Sequence, residues 1–510
     1  MNEVILERDN LTQADVMRVA RDHVPVSLGA DGRTAMDASA AVVDAYAASE
    51  TAVYGVSTGF GALAATYIPA ERREELQLSL IRSHAAGMGP RVEEEVVRAM
   101  MLLRARSLAM GYSGARPEIV DAFLAMLRAG ITPVVHEYGS LGASGDLAPL
   151  AHIALALIGE GTVTVGGVDR PAADALKEAG VEPLVLRAKE GLALINGTDG
   201  ILGMLILALH DLEVILATAD VIAAMTVEAL LGTDQAFRAD LVALRPQPGQ
   251  QIAAANMTRV LSGSEIVGSH RHDDVRVQDA YSLRCTPQVH GAARDTWTHV
   301  SGIAENELRS AIDNPMVLPD GNVASCGNFH GAPVALGCDF LAIAAAEVGS
   351  IAERRLDRML DPARSHGLPA FLTADPGVSS GYMIAHYTAV SMAAHNRRLA
   401  APASVDSMPT SAMQEDHVSM GWGAARKLRT VVDNVGRILA VELVAACQGL
   451  ELREPLACGR VSASVVELVR QHIDHLGSDR TLAPELDTAA KLIRTGAVRQ
   501  AAQNVAGPFR

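Results

Sequence analysis

The sequence predicts a mainly α protein, a bundle of long helices with short hairpins in its loops. Hydrophobic residues make up 49% of the 510 residues while aromatic residues make up only 3%, a composition that suits closely packed helices better than a small sandwich or barrel. Apolar residues recur at helical spacing in long segments. Segments with a strand pattern are few and short.

Seven segments carry the helical pattern, and several are apolar nearly all round, so we expect them to be buried. They cover residues 71–84, 92–110, 117–129, 147–158, 201–231, 339–360 and 424–450. Two hairpins are predicted, one from 162–165 followed by Gly166-Gly167, and one that pairs 316–318 with 323–325 across Asp320-Gly321. No internal repeat, low-complexity tract or Gly/Ser linker divides the chain.

Charge and cysteine content limit the partners and the compartment. The formal net charge is −16, which argues against nucleic acid and against an anionic membrane as partners. The most apolar stretch, 201–231, is interrupted by acidic residues, and the first residues have no basic and apolar signal pattern, so we expect neither a membrane span nor a secretion signal. Five widely spaced cysteines favour a reducing compartment, the cytoplasm.

The most informative segment is GSLGASGDLAPLAH, residues 139–152. Its small residues precede a helix for which Asp146 can serve as N-cap, Pro149 is tolerated in the first turn, and Gly159 follows as a C-cap. Taken alone, Ala-Ser-Gly also fits an ordinary glycine-rich turn in front of a helix.

In its full context the segment resembles the aromatic amino acid ammonia-lyase family. The resemblance implies that Ala143-Ser144-Gly145 cyclises, with loss of two waters, to 4-methylideneimidazol-5-one (MIO), so that no external cofactor is needed. The chemistry explains the residue types, since attack of the Gly145 amide nitrogen on the Ala143 carbonyl carbon needs minimal side chains on both flanks. Ser144 supplies the hydroxyl that is lost to leave the methylene.

Six further segments match the same family between about Tyr54 and Met420. In VYGVSTGFG the resemblance makes Tyr54 the base that removes the β-proton, although a structural hydroxyl would be the usual interpretation. In RSHAAGMG it makes Ser83-His84 the specificity pair, and His84 the partner of the substrate imidazole. In LINGTDG it places Asn196 at the amino acid end of the substrate or at the ring carbonyl.

The other three segments supply further candidates. In VQDAYSLRCTPQVHG, Gln278, Tyr281 and Arg284 recur at three-residue steps, so on a helical turn they would share one face. The resemblance implies a catalytic role for Tyr281, and Arg284 suits a bidentate clamp on the substrate carboxylate. GNFHGAP places Phe329 beside the electrophile, and SAMQEDHVSM places Glu415 near the substrate ring and amine.

Two positions depart from the family pattern. Many members carry Gln where this chain has Asp199, and Asn where it has Met413. The hydrogen bonds beside Asn196 and Glu415 are therefore the part of the site that the sequence defines least.

The resemblance implies a carbon–nitrogen lyase that eliminates ammonia from L-histidine to give trans-urocanate, the first step of histidine degradation. It implies a single catalytic unit, residues 1–510 with a core of about 10–490, in a long-helix bundle of the fumarase and aspartase type. It also implies a homotetramer whose active sites take loops from more than one subunit, for example Tyr281 and Arg284 from one and Phe329 from another.

Several alternatives stay open. Within the family they are a tyrosine or phenylalanine ammonia-lyase and an aminomutase. A fumarase- or aspartase-type lyase needs a Lys and an Asn shortly after Ser-x-Met-Pro, and here Ser407-Met408-Pro409 is followed by Thr410-Ser411-Ala412-Met413, which contains no Lys. A non-catalytic helical scaffold would explain the composition but not the matching polar loops. The spacing of Cys and His predicts no metal site.

Overall fold

The computed structural model describes residues 3–49, 53–272, 274 and 276–509. Within these ranges the protein is mainly helical, as predicted, and its strands are short. The helices are α1 (Gln13–Arg21), α2 (Ala30–Ala47), α3 (Arg73–His84), α4 (Glu94–Ala109), α5 (Pro117–Arg128), α6 (Leu147–Leu157), α7 (Ala172–Ala179), α8 (Glu190–Ile195), α9 (Asp199–Ala229), α10 (Ala239–Ala243), α11 (Pro248–Leu261), α12 (Glu265–Gly268), α13 (Tyr281–Arg284), α14 (Thr286–Leu308), α15 (Ala332–Leu360), α16 (Met383–Leu399), α17 (Gly421–Glu451), α18 (Arg460–Arg470), α19 (Ala483–Arg494) and α20 (Ala497–Ala506).

The strands form four small sheets. They are β1 (Val4–Leu6), β2 (Val26–Leu28), β3 (Met88–Arg91), β4 (Thr132–Pro133), β5 (His136–Tyr138), β6 (Thr162–Val165), β7 (Val168–Pro171), β8 (Met316–Val317) and β9 (Val323–Ala324). β1 pairs with β2 in parallel, and β3 with β5, β6 with both β4 and β7, and β8 with β9 in antiparallel fashion. Both predicted hairpins are confirmed, as β6–β7 and β8–β9.

All seven predicted helices are present, with one large shift at an end. The helix predicted for residues 339–360 is α15, and it begins at Ala332, seven residues before the predicted start. Pro333 lies in its first turn, where the missing N–H has no helical partner to lose, so the helix starts before the proline rather than after it.

The chain forms two compact units. The first comprises residues 1–207, 301–339 and 402–426, and the second comprises 208–300, 340–401 and 427–510. In the first unit α3, α6 and α8 pack against one another. This packing matters for the site, because α3 ends at His84, α6 begins just after the turn that contains Ser144, and α8 ends next to Asn196.

The second unit encloses two clusters of paired, buried charge. Arg355 and Glu442, both inaccessible to solvent, form a bidentate pair with N–O distances of 2.5 and 2.8 Å. Asp220 accepts from His290 at 2.8 Å and from Arg294 at 2.7 Å, and these partners hold the pKa of Asp220 below its usual value despite its burial. Such pairs tolerate burial only when both members are present.

Two of the described helices, α9 and α15, are long and apolar enough to cross a membrane by length and composition alone. In the most apolar window of α9, 83% of the residues are buried inside the protein, and in that of α15 61% are. Core helices of globular proteins pass the same test, and burial on this scale is typical of them.

Asp146 lies at the predicted N-cap position of α6, but its side chain makes no capping bond to that helix. One carboxylate oxygen, Oδ2, accepts instead from the backbone N–H of Gly200 at 2.8 Å and of Ile201 at 3.0 Å. These donors lie in the first turn of α9, where N–H groups have no helical acceptor. Asp146 therefore caps α9 and joins its start to that of α6.

Asp146 is fully buried, and burial raises its pKa to about 7 even though the bonds from Ile201 and Gly200 favour the ionised form. A carboxyl whose pKa is higher in the folded than in the unfolded state stabilises the fold at low pH. That contribution is lost as the pH rises through the folded-state value.

We expect Asp146→Ala to lower the free energy of unfolding by about 1–3 kcal/mol, because two buried N–H groups lose their acceptor. Asp146→Asn keeps an acceptor oxygen and should retain most of the stability. Because Asn does not titrate, the stability of the wild type relative to Asp146→Asn should fall between about pH 4 and about pH 7, the unfolded-state and folded-state pKa values of Asp146. Urea unfolding of the three proteins across this range measures both effects, and a pH-independent difference between wild type and Asn would contradict the assignment.

Candidate active site

Residues 142–145 form a tight turn in front of α6. The Gly145 N–H donates to the Gly142 carbonyl at 3.3 Å, which leaves Ala143 and Ser144 as the two central residues. Ser144 has φ of +49°, a left-handed conformation that residues with a side chain rarely adopt. The chain thus folds back on itself over the three residues that the sequence singled out.

The glycines of this turn are required by the space around them. A Cβ on Gly145 would lie 2.0 Å from the Gly197 carbonyl oxygen, and one on Gly142 would lie 2.1 Å from Ser419 Oγ. The next residue, Asp146, donates its N–H to the same Gly197 carbonyl at 2.7 Å. Any side chain at Gly142 or Gly145 would push the turn away from its neighbours.

The side-chain amide of Asn196, next to Gly197, donates two hydrogen bonds through its nitrogen and accepts none through its oxygen. Its Nδ2 donates to Asp313 Oδ1 and to the Asn314 carbonyl, both at 2.9 Å. Its Oδ1 is buried and has no hydrogen-bond partner. Buried polar atoms are nearly always paired, so Oδ1 is an acceptor that a bound donor could use.

The family departure at Asp199 is accommodated by Arg104. Both side chains are buried, and Arg104 Nη1 lies 3.2 Å from Asp199 Oδ2. The same guanidinium donates to the Asn196 carbonyl at 2.7 Å. Burial raises the pKa of Asp199, and the charge of Arg104 opposes that rise. Arg104 was not singled out from the sequence, although a charged residue inside the apolar run of α4 was a signal for it.

Tyr54 and Glu415 meet at Gly61. The Tyr54 hydroxyl accepts from the Gly61 N–H at 3.2 Å, and Glu415 Oε1 lies 3.4 Å from where a Cβ of Gly61 would be. Glu415 Oε2 accepts from Thr410 at 3.2 Å. Burial, and then the charge of Glu415, raise the pKa of Tyr54, while the bond from Gly61 opposes them. The phenol is therefore protonated at neutral pH in this chain.

Met413, the second family departure, lies in the turn before Glu415. Its side chain is 66% exposed, and its φ is +71°. The Glu415 contacts described above use Thr410 and the Gly61 region, so the Met413 side chain supplies none of them.

His84 is the last residue of α3, and the bonds of one of its ring nitrogens determine that the other, Nε2, is a hydrogen-bond acceptor. Nδ1 lies 2.9 Å from the Leu80 carbonyl and 3.1 Å from Ser83 Oγ. A carbonyl can only accept, so Nδ1 carries the hydrogen. Burial lowers the pKa of His84, with Leu80 and Glu415 opposing the shift. The neutral ring therefore has Nε2 as an acceptor, which an imidazole N–H could use and a phenyl ring could not.

Phe329 lies half-buried in a turn between β9 and α15. The next residue, His330, stacks on His417 with ring centroids 5.9 Å apart and an interplanar angle of 1°. His330 Nε2 also donates to the His417 carbonyl at 3.3 Å. The loops that carry Phe329 and Glu415 are thereby fastened together.

The remaining three candidates belong to the second unit. Tyr281 and Arg284 are the ends of the short helix α13, but Gln278 lies in a bend before it, so the predicted helical face shared by all three is wrong for Gln278. The chain from 277 to 280 is not helical, which breaks the three-residue periodicity. Tyr281 is 71% exposed. The Arg284 guanidinium lies 4.6 Å from the centre of its ring, and Nε donates to the Asp279 carbonyl at 3.0 Å.

The first unit thus contains the 142–145 turn, Asn196, His84 and the loops that carry Tyr54, Phe329 and Glu415. The residues fit an MIO group made from the chain itself. The turn already exists, glycines flank it where no Cβ can be placed, and Asn196 next to Gly197 has an unused buried acceptor.

Comparisons with known proteins identify the family of the chain. Residues 11–471 match the model of the aromatic amino acid lyase family. A histidine ammonia-lyase from Streptomyces avermitilis is 57% identical over 511 aligned residues, which cover all of both chains. The structure of a histidine ammonia-lyase from Trypanosoma cruzi is similar with a TM-score of 0.91 and 41% identity over 99% of this chain and 96% of that one.

A tyrosine aminomutase from Streptomyces globisporus has the same fold, with a TM-score of 0.94 and 37% identity over the whole of both chains. The fold is therefore shared by enzymes with different named activities, and the fold alone does not separate them. The matches nevertheless cover nearly the whole sequence, and the chain belongs to the aromatic amino acid lyase family.

Proposed function

We propose that the chain is a histidine ammonia-lyase, which removes ammonia from L-histidine to give trans-urocanate in the first step of histidine degradation. The observation that carries the proposal is the turn 142–145, with glycines where no side chain fits, in the same unit as a neutral His84. Full-length identity of 57% to a histidine ammonia-lyase supports the choice of substrate.

The electrophile proposed for this reaction is MIO, made from Ala143, Ser144 and Gly145. The Gly145 nitrogen bonds to the Ala143 carbonyl carbon, whose oxygen leaves as water, and the Ser144 hydroxyl leaves as a second water to give the methylene. When formed, the group would supply an electrophilic carbon. Covalent attachment of the substrate to such a carbon replaces one difficult elimination by easier steps. Helix α6 begins at Leu147, and the positive end of its dipole would favour negative charge on the MIO ring.

His84 and Asn196 would bind the two ends of the substrate. His84 Nε2 would accept the N–H of the substrate imidazole, and Asn196 Oδ1 would accept from the ammonium group. Arg284 would hold the carboxylate in two parallel bonds, with Gln278 beside it and Phe329 against the electrophile.

Tyr54 would remove the β-proton, with Glu415 and Tyr281 as further proton-carrying groups. Because burial and Glu415 raise the pKa of Tyr54, the phenolate needs a positive charge nearby. The substrate ammonium supplies one, so deprotonation of Tyr54 is expected to follow substrate binding rather than precede it.

We further propose that residues 1–510 act as one catalytic unit in a cytoplasmic homotetramer whose subunits share active sites. On α16, Ile384 is 58%, Tyr387 60% and Val390 39% exposed. These residues follow one another at three-residue steps, so they form an apolar stripe on one helix face. A stripe of this kind is expected to be covered by another copy of the chain.

The first prediction compares substrates. L-Histidine should be deaminated much faster than tyrosine or phenylalanine, because the imidazole N–H can pair with His84 Nε2, whereas phenylalanine has no donor on its ring and tyrosine carries its hydroxyl at the far end of a larger ring. Ser144→Ala should fold normally but lose about 10³-fold or more in kcat, because no methylene can form. Ultraviolet detection of the conjugated product from the three amino acids measures both. Comparable turnover of all three would remove the specificity assignment, and β-amino acid products would favour an aminomutase.

The second prediction separates the residue that binds the ring from the residue that binds the carboxylate. His84→Leu should lose about 10–100-fold in kcat/KM for histidine and gain on phenylalanine, since an unpaired buried polar group no longer rejects the apolar ring. Arg284→Lys should lose about tenfold on every amino acid tested, because all carry the same carboxylate.

The matched measurement is kcat/KM for histidine and phenylalanine in both variants. An equal loss on both substrates in His84→Leu would show that His84 is structural or generally catalytic. A loss confined to histidine in Arg284→Lys would contradict its assignment to the carboxylate.

A further inference from the structure

His152, on α6, holds the segment that follows His84. The Gly87 N–H donates to His152 Nε2 at 3.0 Å. Between His84 and Gly87 the chain leaves α3 and turns through Ala85 and Ala86. The Ala86 N–H donates to the His84 carbonyl at 2.8 Å. Only two residues separate His84 from the glycine that His152 holds.

Gly87 also contacts the start of the 139–152 segment. The position of a Cβ on Gly139 lies 3.1 Å from Gly87 Cα. A Cβ on Gly87 itself would lie 3.0 Å from His152 Nε2 and 3.2 Å from the Tyr138 carbonyl oxygen. Gly87 therefore lies between α6 on one side and, on the other, Tyr138 and Gly139, which lead into the 142–145 turn.

The strands continue this connection. After Gly87 the chain enters β3, which pairs with β5, and β5 leads directly into Gly139. His136, on β5, places its Nδ1 3.0 Å from the Gly89 carbonyl, and its ring lies 5.5 Å from that of His152. The segment from Gly87 to Gly89 is thus held by two imidazoles, and His152 supplies its hydrogen bond to α6, the helix that follows Ser144.

We propose that His152 is a positioning residue for the reaction, which fixes the distance between His84 and the 142–145 turn by holding the Gly87 N–H. The inference rests on the proposed function, because it assigns His84 to the substrate ring. The ring nitrogen of His152 replaces the carbonyl that Gly87 would bond in a helix or strand, so that this partly buried N–H keeps an acceptor after the chain leaves α3.

The ring must be neutral for this purpose. A backbone N–H can only donate, so Nε2 of His152 must carry a lone pair rather than a hydrogen. Burial, and then the neighbouring His136, lower the pKa of His152. Its acceptor nitrogen is therefore available at neutral pH.

The test uses two substitutions at one position. His152→Leu removes the acceptor, and His152→Gln restores one at a similar reach from the backbone. Leu176→Ala, in the buried face of α7, serves as a matched control that lowers stability without touching Gly87. Steady-state kinetics with histidine are measured on the full-length enzyme, with intact-mass measurement of the two waters lost at residues 143–145.

We expect His152→Leu to raise KM for histidine by about tenfold with a smaller change in kcat and with both waters still lost. His152→Gln should return KM to within about twofold of the wild type. Leu176→Ala should lower the melting temperature and leave KM unchanged. Hydrogen–deuterium exchange of peptides that cover 85–91 should be faster in His152→Leu only.

A double variant decides whether the effect passes through His84. In a His84→Leu background, His152→Leu should change KM little further, because the two substitutions act on one interaction. An unchanged KM in His152→Leu, or an equal effect with and without His84, would overturn the proposal. Absence of turnover in the wild type would instead refute the proposed function and the inference with it, whereas unchanged exchange at 85–91 would refute the inference alone.

Discussion

The arrangement of the site depends on contacts that the 142–145 turn and the following Asp146 make with the Gly197 backbone. The Gly197 carbonyl accepts the Asp146 N–H, and the space beside it admits no Cβ at Gly145. Asp146 then caps α9 through the first N–H groups of that helix. One short stretch thus fixes the start of α6, the start of α9 and the end of α8, where Asn196 lies. Displacing Gly197 would move all three together.

Buried ion pairs lie next to these contacts and hold the polar groups around Asn196. Arg104 binds both the Asn196 carbonyl and Asp199, and Asp313 binds both Asn196 and Lys189, the latter at 2.7 Å. The polar groups near the turn are therefore held by pairs whose partners cannot be removed singly without leaving a charge in the interior. These pairs also hold the Asn196 side chain in place, with its buried Oδ1 left without a hydrogen-bond partner.

The sequence predicted the class of fold, the seven long helices and both hairpins, because these depend on apolar periodicity and turn residues that are local. It could not predict that Asp146 caps α9 instead of α6, because the choice depends on where a helix 53 residues later in the chain begins. It also did not indicate which groups Arg104 would bind, or the Gly87–His152 bond. Those contacts join residues distant in the chain, and no spacing rule links them. The pattern at Gln278, Tyr281 and Arg284 misled for the opposite reason, since a three-residue step can occur without a helix.

The exposed stripe on α16 has a consequence for how the protein behaves when it is diluted. If another copy covers Ile384, Tyr387 and Val390, the apolar area buried there contributes to stability only while the copies are associated. The free energy of unfolding then depends on the total concentration of chains, through mass action. Dilution then lowers the stability of the protein, as a denaturant would. A chain that has folded but has not yet associated exposes this apolar surface and can aggregate through it.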